Sequence, residues 1–298
     1  MARVAFTKVE GLGNDFLLID RRDLDPDALA AEVAWAQQVA PRVCDRRTGV
    51  GADGILLVGP GDAQAGTCAA MIVVNFDGSR PEMCGNGLRC VAMWLAAFVE
   101  RSGAAWTGTI ATDAGPKRCV VDGWDGGLDP HRRDVTIDMG PAVDLGARTP
   151  AAAEGRELAG VSMGNPHAIH FVTTASGSTN GPEALARRLG PAIELDPAYA
   201  PSKTNVEFAR IDGPAAIELW VWERGVGITE ACGTGACATA VAAARAGLVP
   251  FDTPIDVRLP GGHLQITAPS DASLGVAMRG PARAVFFAEL ERHPGWLG

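Results

Sequence analysis

The chain has 298 residues, 47% of them hydrophobic and 20% charged, with a formal net charge of −9. That length suffices for two compact domains with filled cores, and the composition is that of a soluble globular protein. The acidic balance, with three lysines (Lys8, Lys117, Lys203) and no basic block, argues against nucleic acid or an anionic membrane surface as partner.

In chain order, the opening "MARVAFTKVEGLGNDF" has no continuous apolar stretch and no small-residue cleavage site, so no secretory leader is expected. "DPDALAAEVAWAQQVA" predicts a helix, with Asp25 as N-cap and Pro26 in the first turn. "GVGADG" from Gly49 fits the G-x-G-x-x-G pattern, but a dinucleotide site needs a helix next and "ILLV" reads as a strand. "GILLVGP" and "AAMIVVNF" predict strands. The segment from Cys84 predicts a helix, with Leu88, Val91, Leu95 and Phe98 at helical spacing and Gly103 as its stop. Its run "CVAMWLAAFV" is too short to span a bilayer. "GWDGGLDPHRRD" from Gly123 reads as a loop and as the interdomain link. "DVTIDMGP", "HAIHFV", "AIELWVWE", "IDVRLP", "HLQITAP" and "RAVFFAEL" predict further strands, and "TTASGSTNGP" from Thr173 another loop. The segment from Cys232 predicts a third helix, nearly all Ala and small residues up to Gly247.

A weak internal repeat runs through this order. Cys84 and Cys232 both open Cys-Gly-x-Gly, 148 positions apart (84 to 232), and Asn14 and Asn165 both follow Gly, 151 apart (14 to 165). Nine residues before each cysteine stands a polar group, Asn75 or Glu223. Two similarly folded halves facing each other across a cleft account for the pattern, and such clefts favour small-molecule sites.

The two repeated cysteines carry the chemistry. The first turn of a helix has unpaired N–H groups and partial positive charge, so a thiolate there is stabilised and its pKa is expected to fall. The flanking glycines leave those N–H groups open to a ligand carboxylate. One thiolate and one thiol could take a proton from one face of an α-carbon and return one to the other. Cys44, Cys68, Cys90, Cys119 and Cys237 read as small buried hydrophobes. The spacings 84/90 and 232/237 are not those of structural zinc. With no phosphate loop, no H-E-x-x-H and no lysine in a Schiff-base setting, cofactor-free and metal-free chemistry is expected. Seven cysteines, an odd number, suit reduced thiols and a cytoplasmic location.

"GLGNDF", "GVGADG", "NFDGSRPEMCGNGLRC", "SMGNPH", "TNVEF" and "ERGVGITEACGTGACATA" together resemble the diaminopimelate epimerase family in order and spacing, over nearly the whole chain. The resemblance implies an α+β fold of two pseudo-symmetric domains, each a β-barrel-like sheet around a central helix, with the active site in the cleft between them. The expected domains are 1–127 and 128–279, with 280–298 returning to the first. It implies that Cys84 and Cys232 are the acid–base pair, with Glu223 and His167 tuning or orienting the thiols. Backbone groups at Gly85, Asn86, Gly233 and Thr234 would bind the carboxylate at the reacting centre. Asn14, Asn75, Asn165, Asn205 and Arg224 would hold the far end of the substrate, diaminopimelate. The implied reaction interconverts the LL and meso isomers by a two-base proton transfer in lysine and peptidoglycan precursor synthesis, and a homodimer is a further expectation. Gly54 stands where some relatives carry Gln, and Arg80 where an acidic residue is common. A proline-type racemase and a non-catalytic amino-acid-binding protein are the alternative readings. Polar anchors at Asn75, Asn205 and Arg224 speak against the first, and retention of both cysteines against the second.

Overall fold

The computed structural model describes residues 3–101, 103–124, 126–127, 129, 131–173 and 179–292. The chain divides into two units, Met1–Ile137 with Gly280–Gly298, and Asp138–Arg279.

The first unit begins with strands β1 (Arg3–Gly11) and β2 (Asn14–Asp20), then helix α1 (Pro26–Val43). Strands β3 (Gly54–Pro60) and β4 (Ala69–Asn75) follow, then helix α2 (Gly85–Trp94), which runs on through a wider π turn at Leu95–Val99. Strands β5 (Trp106–Ala111), β6 (Lys117–Val121) and β7 (Arg132–Asp138) complete its first pass. The second unit holds β8 (Val143–Arg148), β9 (Leu158–Ser162), β10 (Pro166–Phe171), α3 (Pro182–Glu194), β11 (Asn205–Gly213) and β12 (Ala216–Glu223). The short β13 (Gly227–Ile228), helix α4 (Gly233–Arg245), β14 (Ile255–Leu259) and β15 (Gly262–Thr267) come next, and β16 (Ala277–Glu291) ends the series.

In the first unit the strands are hydrogen-bonded in the order β1 to β7, and β16 pairs with β7 and, through Arg283–Glu291, with β1, which closes an eight-stranded barrel. In the second unit the order is β16, β15, β14, β12, β11, β10, β9, β8, with β13 beside β12. The two units repeat one plan. Parallel neighbours β2 and β3 are joined through α1, and β4 and β5 through α2. Likewise β10 and β11 are joined through α3, and β12 and β14 through α4. Parallel pairs require such crossovers, because a tight hairpin joins only antiparallel strands.

Burial on both faces explains why several strands read as continuous apolar runs. On β3, Ile55 and Leu57 join the cluster of Ala36, Val39, Ala40 and Val43 from α1, and the alternate residue Leu56 points to α2. On β11, Val206 and Phe208 pack with Leu185, Leu189 and Ile193 of α3, while Asn205 and Glu207 lie on the alternate face and are also buried. Helices α2 and α4 are the central ones: Leu88, Cys90, Val91, Ala92 and Met93 of α2 have no exposed surface, nor do Ala236, Cys237, Ala238, Ala240 and Ala243 of α4. The expected fold class, two domains with a barrel-like sheet wrapped around a helix, is what the structure has.

Three expectations change. The division falls at Ile137/Asp138 rather than at 127/128, because β7 pairs with β6 and β16 and so belongs to the first barrel. Helix α3 was not expected; Pro182 in its first turn follows a Gly181 N-cap, and Leu185, Ala186, Leu189 and Ile193 form its buried stripe. The helical segment led by Cys84 ends at Val99, before Gly103, and Arg101 with φ +50° makes the exit turn. Within the two expected loops, residues 125, 128, 130 and 174–178 lie outside the described residues.

Candidate active site

Both repeated cysteines cap their helices. Cys84 is the N-cap of α2, with extended backbone, and its Sγ accepts the Gly87 N–H at 3.4 Å. Cys232 caps α4 in the same way, its Sγ accepting the Gly235 N–H at 3.4 Å. Each sulfur therefore satisfies one of the donors that a helix start leaves unpaired. Cys84 is half-buried, whereas Cys232 is 6% exposed.

Around Cys84, Asn14 is the hub. It stands at the start of β2, just past the hairpin turn at Leu12 and Gly13, where both residues have positive φ. Its amide nitrogen donates to Asp53 Oδ2 at 2.6 Å, so its carbonyl oxygen faces the other way. That oxygen accepts from Asn86 Nδ2 at 3.2 Å and from the Cys84 thiol at 3.8 Å. Asn86 in turn accepts from the fully buried Arg89 at 2.9 Å. Asp53 also holds the Asp15 N–H and Arg46, and Asp15 is bound by Lys8 at 2.5 Å. Asn75, at the end of β4, donates to Ser79 Oγ at 2.9 Å. Gly85 is the first residue of α2, next to the thiol.

Around Cys232, the side chains form a continuous network. Thr234 Oγ1 lies 3.6 Å from the sulfur and accepts from Asn165 Nδ2 at 3.3 Å. Asn165 Oδ1 is 3.0 Å from His167 Nε2, and His167 Nδ1 is 2.6 Å from Glu207 Oε1. Glu223, at the end of β12, is hydrogen-bonded by the Thr229 hydroxyl at 2.5 Å and by Cys232. Asn205 opens β11; it donates to Pro166 O at 3.1 Å and accepts the Arg224 N–H at 2.9 Å, so it fixes the backbone beside Arg224. The exposed Arg224 guanidinium donates to Ser202 O. Gly233, buried, is the first residue of α4.

Helix placement does not by itself make Cys232 acidic. Burial pushes its thiol well above the ordinary range, and the Glu223 and Glu207 carboxyls add to that, against the Thr234 hydroxyl and Gly235 N–H. The expectation of a lowered pKa is thus corrected for this cysteine: desolvation in the second unit outweighs the helix start. Burial also raises Glu223, opposed by its bonds from Thr229 and Cys232, so a carboxyl that holds its proton more tightly than usual adjoins the thiol. All seven cysteines are free. Burial pushes Cys44 and Cys119 up to about 12, consistent with inert small hydrophobes, whereas Cys68 is exposed rather than buried as expected. Among the described residues there is no group of three or more His, Cys, Asp or Glu able to hold a metal, and no helix long and apolar enough to cross a membrane.

The departures have structural counterparts. Arg80 makes a two-pronged pair with Asp113, both bonds 2.8 Å. Gly54 pairs with Asn75, and a Cβ there would lie 2.4 Å from Val74 O, so the backbones approach too closely for a side chain as they stand. Glu207 was missed, although it lies in the quoted "TNVEF". The available signal was a carboxylate between Val206 and Phe208, two positions from Asn205 and so on the same face of the strand.

The model of the family described as diaminopimelate epimerase matches residues 6–143 and 160–285. A diaminopimelate epimerase of Microcystis aeruginosa is 40% identical over 300 residues, covering 95% of this chain and 98% of that one. One of Rhizorhabdus wittichii is 41% identical over 298 residues, covering 97% and 96%. Among solved structures, a probable proline racemase from Agrobacterium radiobacter superposes with a TM-score of 0.71 at 17% identity, covering 98% and 94%. A predicted epimerase from Pseudomonas aeruginosa gives the same score and identity, covering 97% and 100%. The structural likeness shows the fold, and the sequence matches show the relationship: this chain belongs to the diaminopimelate epimerase family, a family of isomerases.

Proposed function

We propose that the protein interconverts LL- and meso-diaminopimelate without a cofactor, by a two-base proton transfer at the α-carbon. The observation that carries this reading is the repeated cap: in each unit a cysteine sulfur sits at the start of the central helix beside bare glycines. Cys84 and Cys232 are the acid–base pair, one acting as thiolate and the other as thiol, with roles exchanging by reaction direction. Raised by burial, Glu223 serves as the proton acceptor that brings Cys232 to its thiolate, and His167 orients the network beside it. The carboxylate at the reacting carbon binds the N–H groups of Gly85, Asn86, Gly233 and Thr234. Asn14, Asn75, Asn165, Asn205 and Arg224 hold the distal amino-acid end. Of these, Arg224 offers a two-pronged carboxylate contact, and Asn205 acts by fixing the backbone at Arg224. The reaction belongs to lysine and peptidoglycan precursor synthesis in a reducing cytoplasm, in keeping with seven free thiols. The partner is a small molecule, with neither nucleic acid nor membrane, and a homodimer is the proposed assembly.

Incubation with LL-diaminopimelate in D₂O under reducing conditions tests this. Deuterium should enter the α-position as the meso isomer forms, with nothing added. Binding without exchange would leave only a binding protein, and no binding would remove diaminopimelate as the substrate.

A further inference from the structure

The surroundings of the two capping cysteines are not equivalent. Positions 16 and 54 pair across β2 and β3, and positions 167 and 205 pair across β10 and β11, each 151 residues after its counterpart. At the same offset Leu56 corresponds to Glu207. The central helices confirm this correspondence. A methyl at Gly87 would lie 2.9 Å from Leu56 Cδ2, and one at Gly235 would lie 3.0 Å from Glu207 Oε1. The buried apolar pair Phe16 and Leu56 of the first unit is therefore replaced, in the second, by the buried couple His167 and Glu207. A polar couple sealed from water is costly unless its hydrogen bonds serve each other, and this one is bonded at 2.6 Å. At the corresponding positions on the Cys84 side stand Phe16 and Leu56 instead.

The direction of the bonds shows what the couple does. Glu207 Oε2 has no hydrogen bond of ordinary geometry among the described residues, and burial outweighs the pull of His167 and of the Ala168 N–H on this carboxyl, which disfavours a bare carboxylate there. With a proton held in the short bond between Glu207 Oε1 and His167 Nδ1, the other ring nitrogen keeps its hydrogen and donates to Asn165 Oδ1. Asn165 then presents its NH₂ to Thr234 Oγ1, and the Thr234 hydroxyl is left to donate to Cys232 Sγ. In the first unit the polarity is opposite: the Asn86 amide and the Cys84 thiol both donate to Asn14 Oδ1.

We infer that Glu207 is a positioning residue that holds His167 with its proton on Nε2, and so directs a chain of donated hydrogen bonds through Asn165 and Thr234 onto the sulfur of Cys232. Donation onto sulfur favours the thiolate and offsets part of the cost of burial. The inference rests on the reading of Cys232 as an acid–base group, and it assigns that thiol a support whose counterparts in the first unit, Phe16 and Leu56, are apolar. The carboxyls that act on Cys232 are Glu223 and Glu207; His167 acts in turn on both of them, and Tyr199 feels Glu207 only through space, from the cluster on the other face of β11.

Glu207→Leu tests it, since leucine already fills the matching place in the first unit; a His167→Phe/Glu207→Leu double variant copies that unit's pair outright. The readout is the rate of Cys232 alkylation by iodoacetamide at pH 8, followed by peptide mass spectrometry, with Cys84 in the same digest as control. In Glu207→Leu and in the double variant, Cys232 should react about tenfold more slowly, the equivalent of about one pKa unit, with Cys84 unchanged. Glu207→Gln, whose amide can still donate to Nδ1, should stay near the wild-type rate. An unchanged Cys232 rate overturns the inference, as does equal slowing at both cysteines. A faster rate overturns it too, because it would mean that Glu207 acts as an ionised charge through space. Nitrogen NMR of His167 in the unaltered protein decides independently of how the variants fold: hydrogen on Nε2 is expected, and a bare Nε2 with hydrogen on Nδ1 alone overturns it. Absence of proton exchange on diaminopimelate in the D₂O experiment would remove the functional reading and leave these thiol and imidazole measurements standing.

Discussion

Cys84 and Cys232 stand where helices ordinarily carry Ser, Thr, Asp or Asn, and the sulfur does the capping work of those side chains. Serine at either position should therefore keep the cap and cost less than about 1 kcal/mol of stability, with a gain equally compatible. The same change replaces a thiol by a far weaker acid, so epimerisation should fall by at least about a hundredfold. Urea unfolding and the D₂O assay on Cys84→Ser and Cys232→Ser separate the two effects; large loss of stability, or retained turnover, would contradict the argument. These residues were legible in the sequence because a cap is a local pattern, with cysteine, glycine and the following helix all within a few positions. Glu207 was not, since its meaning comes from His167, which lies 40 residues earlier in the chain and is brought within reach only by the pairing of β10 with β11.

Helices show how local signals succeed and where they stop. Asp25 caps α1 by accepting the Ala28 N–H at 2.8 Å, with Pro26 at the first turn, as its sequence indicates. Because this end is exposed, Asp25→Ala should cost about 1 kcal/mol, read as a lower urea midpoint with unchanged epimerase activity. An undiminished midpoint would show that the helix start is held by packing of Val33 and Ala36 instead. Helix α3 carries as clear a stripe, but its Gly-Pro start follows a Gly/Ser-rich stretch, its Gly181 N-cap makes no side-chain bond, and Pro191 interrupts the run. Turn residues there outweighed the periodicity. Strands were easier: β3, β4, β12 and β14 are bounded by Gly, Pro, Asn or Asp and are apolar enough to be recognised even where burial on both faces removes alternation.

Across the whole molecule, the repeat was visible because its landmarks keep almost the same offset, whereas the unit boundary depended on a long-range pairing of β7 with the strand that returns last. The charges built into this double plan oppose one another as pH changes. Burial pushes the Asp15, Asp20 and Glu32 carboxyls up, yet their arginine bonds, and Lys8 at Asp15, outweigh it and leave them below their usual range. For these groups the unfolded chain binds protons more readily, so their contribution is complete above about pH 4.5 and is lost as pH falls through their depressed values. Glu207 and Glu223 behave oppositely. Burial raises them, so the folded protein retains protons that the unfolded chain has released, and stability declines as pH rises above about 4.5 toward their raised values. The two limbs place maximum stability on the acidic side of neutrality, near about pH 5. Urea midpoints measured from pH 3 to pH 8 should show that maximum. Asp15→Asn should flatten the acid limb while lowering stability by about 3 kcal/mol at neutral pH, because Lys8 loses the carboxylate it is buried against. Glu207→Gln should flatten the decline on the other side. A midpoint that climbs steadily to pH 8, with Glu207→Gln running parallel to the unaltered protein, would mean that Glu207 ionises freely in the fold, contrary to a carboxyl sealed against His167 with one oxygen lacking a hydrogen bond of ordinary geometry among the described residues.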